Sequence, residues 1–285
     1  GAFCIYKMNK DKFKLWLDDP DHCLIMGVIN MTPDSFSDGG KFNSINSAID
    51  YAYKLLDTGA DILDIGGESS RPGADPVSNS EEINRISPLI KELGKNANCL
   101  ISVDTYKSST AKFGLDNGAT IINDISGLTY DTKMASVISN FNAPVVVMHM
   151  KGTPKTMQKN PNYFDLIKEI KSFFSKQIEF AIKNGINRKN IILDPGIGFG
   201  KGLNDNFEII GKLDQICDMG YPVLVGPSRK SFIGELLNLP VNERLEGSLA
   251  AANACLMNGA KMIRVHDVNE TKKSLSIIEK IIGSA

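Results

Sequence analysis

Eight short apolar runs punctuate the chain: LIMGVIN (24–30), DILDIGG (61–67), LISVDT (100–105), TIINDI (120–125), PVVVMHM (144–150), NIILDPG (190–196), PVLVGPS (222–228) and KMIRVHD (261–267). They are continuously apolar rather than alternating, which is how strands covered on both faces read. Helical patterns separate them. Ile45, Ala48, Ile49, Ala52, Leu55 and Leu56 fall on one stripe at the 3.6 period, as do Leu166, Ile170, Phe173, Phe174, Ile178, Ala181 and Ile182. Further helices are predicted at 80–95, 107–117, 131–140, 205–219, 243–258 and 270–282, several closed by stops such as DTGA, DNGA, KNGI and MNGA. Eight strand–helix units predict an α/β protein built as a closed (β/α)8 TIM barrel. An open doubly wound sheet is the alternative, and it seldom uses so many even units.

Residues 1–23 stand outside the repeat. Phe3 and Ile5, then Phe13, Leu15 and Leu17, alternate around NKDK, which predicts an N-terminal β-hairpin capping the barrel's N-terminal mouth. Residues 24–285 then make one barrel domain, with no linker or low-complexity tract inside it. Net charge is −1 with the signs well mixed, so no nucleic-acid footprint or polybasic membrane patch is expected. No apolar run approaches the ~18 residues of a membrane span. The five cysteines are scattered without a C-x-x-C, which fits reduced thiols in a cytoplasm. Three histidines (His22, His149, His266) with no H-x-x-x-H argue against a catalytic zinc.

The strands carry their polar residues at one end. Asn30, Asp64, Asp104, Asn123 with Asp124, His149, Asp194, Ser228, and Arg264 with His266 each close an apolar run. In a barrel these converge on the C-terminal face, where such enzymes place their chemistry. Each has an ordinary structural explanation. Asp104 could cap the next helix, His149 could be a hydrogen-bonded core residue, and Asp64 could tie down its own loop. As a set they ask for a polar ligand, because buried carboxylates and amides must be paired. GIGFGKG (196–202) fits neither G-x-G-x-x-G nor the P-loop spacing, and no G-x-S-x-G elbow is present.

NMTPDSFSDGG, GGESSRPGA, the SVDT and INDISG strand ends, DPGIGFGK, SRKSFIG and RVHDV resemble, in order, the motifs of the dihydropteroate synthase family. The resemblance covers roughly residues 24–270. It implies a transferase that joins 6-hydroxymethyl-7,8-dihydropterin diphosphate to p-aminobenzoate, releasing pyrophosphate and forming 7,8-dihydropteroate for folate. It also implies a cytoplasmic homodimer that is a sulfonamide target and has small-molecule partners only.

Carried over residue by residue, the resemblance implies a pterin pocket of Asp104, Asn123, Asp194, Lys230, Met148 and Phe199. A carboxylate accepts the two parallel N–H groups of a pterin edge as it accepts an Arg fork, and Asp194 is the candidate. Asn123 and Asp104 would meet other ring nitrogens, Lys230 the ring carbonyl. Arg71, Arg264 and His266 would bind diphosphate as cations, and Asn30 would hold Mg²⁺, a hard ion suited to an amide oxygen and substrate phosphates. Lys230, Arg264, His266 and Arg71 are the expected catalytic set. Arg264 and His266, two apart on one strand, should share a side. For p-aminobenzoate, SRKSFIGELL predicts a short helix from near Ser228 whose N–H groups and Ser231 hydroxyl receive the carboxylate. Ser70, Pro72, Phe36 and Phe199 would close on the ring, and the family commonly has Thr where this chain has Ser70. The loops 31–43 and 67–79 read as lids. The competing functions are a pterin-binding methyltransferase, which needs no diphosphate site, and a non-catalytic pterin-binding protein.

Overall fold

The computed structural model describes residues 8–32, 45–71, 73–157 and 161–283. All eight expected strands form: β1 (Leu24–Asn30), β2 (Ile62–Gly66), β3 (Leu100–Asp104), β4 (Ile121–Asp124), β5 (Val145–Met148), β6 (Ile191–Asp194), β7 (Leu224–Val225) and β8 (Met262–Val265). They are parallel and pair in the order β6-β5-β4-β3-β2-β1-β8-β7, with a Leu193–Val223 bridge closing the ring. Strand β7 is short because prolines flank it: Pro222 and Pro227 lack the N–H a ladder needs.

Around the strands lie α2 (Ile45–Asp57), α3 (Asn79–Asn96), α4 (Ser108–Asp116), α5 (Met134–Phe141), α6 (Leu166–Lys183), α7 (Leu203–Gly211), α8 (Asp214–Cys217), α9 (Ser231–Leu237), α10 (Leu245–Met257) and α11 (Val268–Ile282). The helix expected over 205–219 is therefore two helices, broken after Gly211. The short helix expected from Ser228 begins at Ser231 instead, after Arg229 takes a left-handed φ of 58°.

Among the described residues no N-terminal hairpin is found. In the described part of this segment, residues 10–18 form a helix, α1 (Lys10–Asp18), started by an Asn9 side chain that accepts from the Lys12 amide at 3.0 Å. Phe3 and Ile5 lie outside the described residues. The apparent alternation of Phe13, Leu15 and Leu17 misled because Leu15 is exposed, at 71%. The buried set is Phe13, Trp16 and Leu17, an i, i+3, i+4 stripe. That stripe does cover the barrel's N-terminal mouth. It packs in one cluster with Leu24, Met26, Ile62, Leu100, Ile121, Val146, Ile192, Leu224 and Met262, which come from all eight strands. Trp16 also donates its indole N–H to the His22 carbonyl at 2.9 Å.

Strand periodicity then builds the site. Two residues beyond this apolar floor, side chains point inward again. Those positions are Asp64, Ser102, Asn123, Met148, Asp194 and Arg264. The pairing register sets them side by side: Asp64 faces Ser102, Asp104 faces Asn123, and Met148 faces Asp194. A polar tier thus rests directly on an apolar one.

If α1 seals this floor, Trp16→Ala should lower unfolding stability by about 3–5 kcal/mol, the usual cost of emptying a large buried site. Leu15→Ala should stay within about 0.5 kcal/mol, as exposed sites do. Urea unfolding midpoints compare the two. Equal midpoints would mean that the barrel does not need the helix.

Candidate active site

Arg264 of β8 spans the polar tier. Its Nε donates to Asp64 Oδ2 at 2.6 Å and its Nη2 to Asp104 Oδ2 at 2.8 Å. Asn123 Nδ2 donates to the same Asp64 oxygen at 3.0 Å. Burial works against the charge on Arg264, but Asp64 and Asp104 outweigh it and hold its pKa above the usual value. Asp104 is pushed up to about 7, by burial first, with Arg264 opposing and Asp64 adding. Asp104 does not cap α4, because Asp131 takes the Ser108 amide at 2.8 Å. Nor does Asp64 merely tie down its own loop; it joins strands two, four and eight.

Three buried atoms of this tier have no hydrogen-bond partner: Asp64 Oδ1, Ser102 Oγ and Asn123 Oδ1. A buried acceptor left alone costs about 1–3 kcal/mol. A pocket with spare acceptors suits a ligand rich in N–H donors.

Asp194 ends β6 at the glycine-rich turn. Its Oδ1 accepts the Gly196 amide at 2.7 Å, and burial still pushes its pKa up to about 6. Gly196 has φ +71°, and a side chain there would collide with the His149 carbonyl, so only glycine lets the turn lie on β5. His149 is a core residue, as its simpler reading held. Lys201 Nζ sits 2.9 Å from its Nδ1 and donates to its carbonyl at 2.8 Å, locking the underside of the turn. Asp124 is likewise structural, accepting from the Ser126 and Leu128 amides.

On the upper side of the turn, Lys230 Nζ lies 4.1 Å from the Phe199 ring centroid, a cation–π contact. Burial and then Arg264 lower the Lys230 pKa to about 8, with Asp194 and Asp104 opposing. Asp104, Asn123, Asp194, Met148, Phe199 and Lys230 therefore lie along one side of the barrel mouth.

Arg264 and His266 take different partners. Strand β8 stops at Val265, and His266 instead bonds the β7 end, with Nδ1 3.1 Å from Ser228 Oγ. Burial, reinforced by Arg264, drops the His266 pKa to about 3. That shift favours the neutral ring.

Asn30 is half-buried at the end of β1, Ser70 is half-buried, and Arg71 and Ser231 are exposed. Phe36 and Pro72 lie outside the described residues, as does most of loop 31–43. Among the described residues, no three His, Cys, Asp or Glu side chains converge to hold a metal ion. Asn30 offers a single neutral oxygen, a donor that fits only an ion whose other ligands arrive with a substrate. Sequence reasoning missed a buried cluster at the root of the 67–79 loop, where Lys107 meets Glu68 and Glu82 at 2.6 and 2.9 Å. The available signal was a glutamate set directly behind two glycines, GGE.

The chain matches the family described as pterin binding enzyme over residues 26–266. It is 44% identical over 260 residues to the dihydropteroate synthase of Bacillus subtilis, covering 91% of this chain and 89% of that one. The Yersinia pestis dihydropteroate synthase, in a sulfonamide drug complex, superposes with TM-score 0.89 at 42% identity, covering 94% of this chain and 96% of that one. The Xanthomonas albilineans enzyme in complex with 7,8-dihydropteroate gives TM-score 0.84 at 36% identity over 92% of this chain and 95% of that one. With the barrel, the polar tier and these likenesses in agreement, the chain belongs to the dihydropteroate synthase family and is a transferase of folate biosynthesis.

Proposed function

We propose that the chain condenses 6-hydroxymethyl-7,8-dihydropterin diphosphate with p-aminobenzoate by a dissociative substitution, giving 7,8-dihydropteroate and pyrophosphate. The observation that carries this reading is the meeting of Asp194, Asn123 and Asp104 with Lys230 over an apolar floor. The acceptors match the N–H groups of a pterin edge, and Lys230 supplies the donor for its carbonyl. Asp194 keeps one oxygen on Gly196, which fixes the carboxylate plane before the pterin arrives. Met148 and the Phe199 ring face the flat heterocycle.

Arg264 carries the charge that meets the departing diphosphate. It is tied to Asp64 and Asp104 beforehand, so its guanidinium is oriented before reaction. Arg71 adds a second cation from the loop, and His266 a hydrogen bond. A bound dianion would favour protonating His266, against the burial that keeps it neutral. Magnesium, when bound by the diphosphate and Asn30, would stabilise negative charge on the leaving group. Ser231 and the first amides of α9 receive the aminobenzoate carboxylate, and Ser70 lies by its ring with Pro72 and Phe36. Water must be excluded, because a pterin methylene cation is also captured by water.

A methyltransferase has no use for the cations above the pterin, and a binding protein none for either. Mixing the two substrates should yield pyrophosphate and dihydropteroate one to one. Neither product would support a non-catalytic pterin-binding protein.

A homodimer and a cytoplasmic location belong to the same proposal. Leu236 and Leu237 at the end of α9, with Val241 before α10, are exposed and offer an apolar surface to a second copy. No disulfide joins the four described cysteines, and among the described residues no helix is long and apolar enough to cross a membrane.

Dihydropterin affinity should follow a bell in pH. It rises as Asp194 and Asp104 ionise, near pH 6 and 7, and falls as Lys230 loses its proton near pH 8. Asp194→Asn should leave only the Asp104 part of the acid limb and weaken binding at least tenfold, since a charged hydrogen bond contributes about 1.5–3 kcal/mol. Lys230→Arg should carry the alkaline limb upward, because a guanidinium stays charged. Calorimetry across roughly pH 5 to 9 checks all three, and a flat profile would move the pterin elsewhere.

Magnesium should bind the protein alone too weakly to detect, and should bind when pyrophosphate is added. Asn30→Ala should then raise its dissociation constant by about tenfold, the size of one lost contact of ~1.4 kcal/mol. Tight binding without pyrophosphate would show that the ion has its own protein site.

A further inference from the structure

A second buried charge cluster lies behind the site, where the loop after β2 meets the start of α4. Lys107 Nζ sits 2.6 Å from Glu68 Oε2 and 2.9 Å from Glu82 Oε2, and donates to the Val77 carbonyl at 2.7 Å. The three charged side chains are 6%, 9% and 2% exposed for Lys107, Glu68 and Glu82. Glu68 spends its remaining capacity locally. Its Oε1 accepts the Tyr106 hydroxyl, and its Oε2 accepts the Val77 amide at 2.9 Å.

The arrangement is closed. An ammonium has three N–H donors, and here three acceptors surround it. Nothing on Lys107 remains to hold a ligand, so its work is structural or positional. Burial opposes the charge on Lys107, but the hydrogen bonds it donates to Glu68 and Glu82 outweigh it and raise its pKa.

The partners decide between those two roles. Glu68 opens the loop that leaves β2, and Val77 lies just before α3. Lys107 and Glu68 therefore bind both stems of one loop, and Ser70 and Arg71 lie between the stems. At the first stem the chain has no slack. A side chain on Gly67 would come within 2.8 Å of the Glu82 carbonyl, and Arg85 Nη1 donates to the Gly67 carbonyl at 3.0 Å. Buried ion pairs are a poor source of net stability compared with apolar packing, because desolvation offsets their attraction. A buried triad is better suited to holding one geometry.

We propose that Lys107 is a positioning residue for the aminobenzoate half of the site: by clasping Glu68 and Val77 it fixes the loop stems, and with them Ser70. It touches no substrate. The inference rests on the assignment of Ser70 made above.

Glu68→Gln is the variant of choice, because it leaves Lys107 and Glu82 as a neutral pair, whereas Lys107→Met strands two buried carboxylates. In Glu68→Gln the KM for p-aminobenzoate should rise about tenfold, the effect of one lost charge-assisted hydrogen bond. Dihydropterin affinity by calorimetry should change less than about twofold, since the pterin pocket is built on the strands. Amide exchange over residues 69–77 should quicken while β2 and β3 stay protected. Equal losses for both substrates would reduce the cluster to a general stabiliser and overturn the proposal. So would faster loop exchange with an unchanged KM, or no change in either. If the wild-type protein makes no dihydropteroate, the substrate assignment fails by itself, and loop exchange still decides whether the clasp exists.

Discussion

Everything at the barrel's mouth depends on one buried cation shared between two carboxylates. Arg264 reaches from β8 to Asp64 on β2 and Asp104 on β3, across the β1 strand that lies between them. None of the three could be left alone at this depth, because stranding one partner of a buried pair costs about 3–5 kcal/mol. The tier is therefore held as a unit, and the register of the strands is what makes that possible. A slip of one residue on β2 would turn Asp64 outward among the helices and leave Arg264 with half its partners.

The apolar floor matters for the same reason. Leu24, Met26, Ile62 and their neighbours pack against α1 and give the polar tier a dry lower boundary. Burial above it raises the Asp104 and Asp194 pKa values to about 7 and 6 and lowers that of Lys230 to about 8. Carboxylates and an amine are thus brought toward neutrality, where small changes in their partners alter their charge. A pterin edge presenting N–H donors to the acids and a carbonyl to the lysine would favour the charged form of each. The same burial lowers the pKa of His266, and the cations Arg264 and Arg229 lower it further against Asp267.

How far this was legible in the sequence varies with the range of the interaction. The eight strands were legible because strands covered on both faces are written as unbroken Ile and Val runs. Their polar ends were legible because Asn30, Asp104, Asn123 and Asp194 break those runs at the same edge. Helix α1 was misread: a nine-residue stretch with Leu15 exposed supports a period of two as well as one of 3.6. The split between α7 and α8 was missed because Gly211 breaks no hydrophobic stripe. Pairings across the barrel could not be read. Which of Asp64, Asp104 and Asp194 would hold Arg264 depends on register, and no local pattern encodes the 200-residue separation of Asp64 and Arg264. The charge of His266 was invisible for the same reason.

The two halves of the site are built on different footings, and this bears on how two substrates can be ordered. The residues assigned to the pterin sit mainly on strands or at their immediate ends, where Asp194 and Asn123 are buried. The residues assigned to the aminobenzoate, Ser70 and Ser231, lie on a loop and at the first turn of a short helix, and Ser231 is exposed. A rigid, half-satisfied polar tier binds its ligand at little cost in ordering. A site drawn from exposed elements must order its own side chains, each at about 0.5–1.5 kcal/mol. On that assignment the pterin has the advantage in binding first, and a diphosphate held by Arg71, as proposed, would bridge the rigid tier and the loop. Fixed loop stems lessen the remaining cost, because only the residues between Glu68 and Val77 are left to settle around the second substrate.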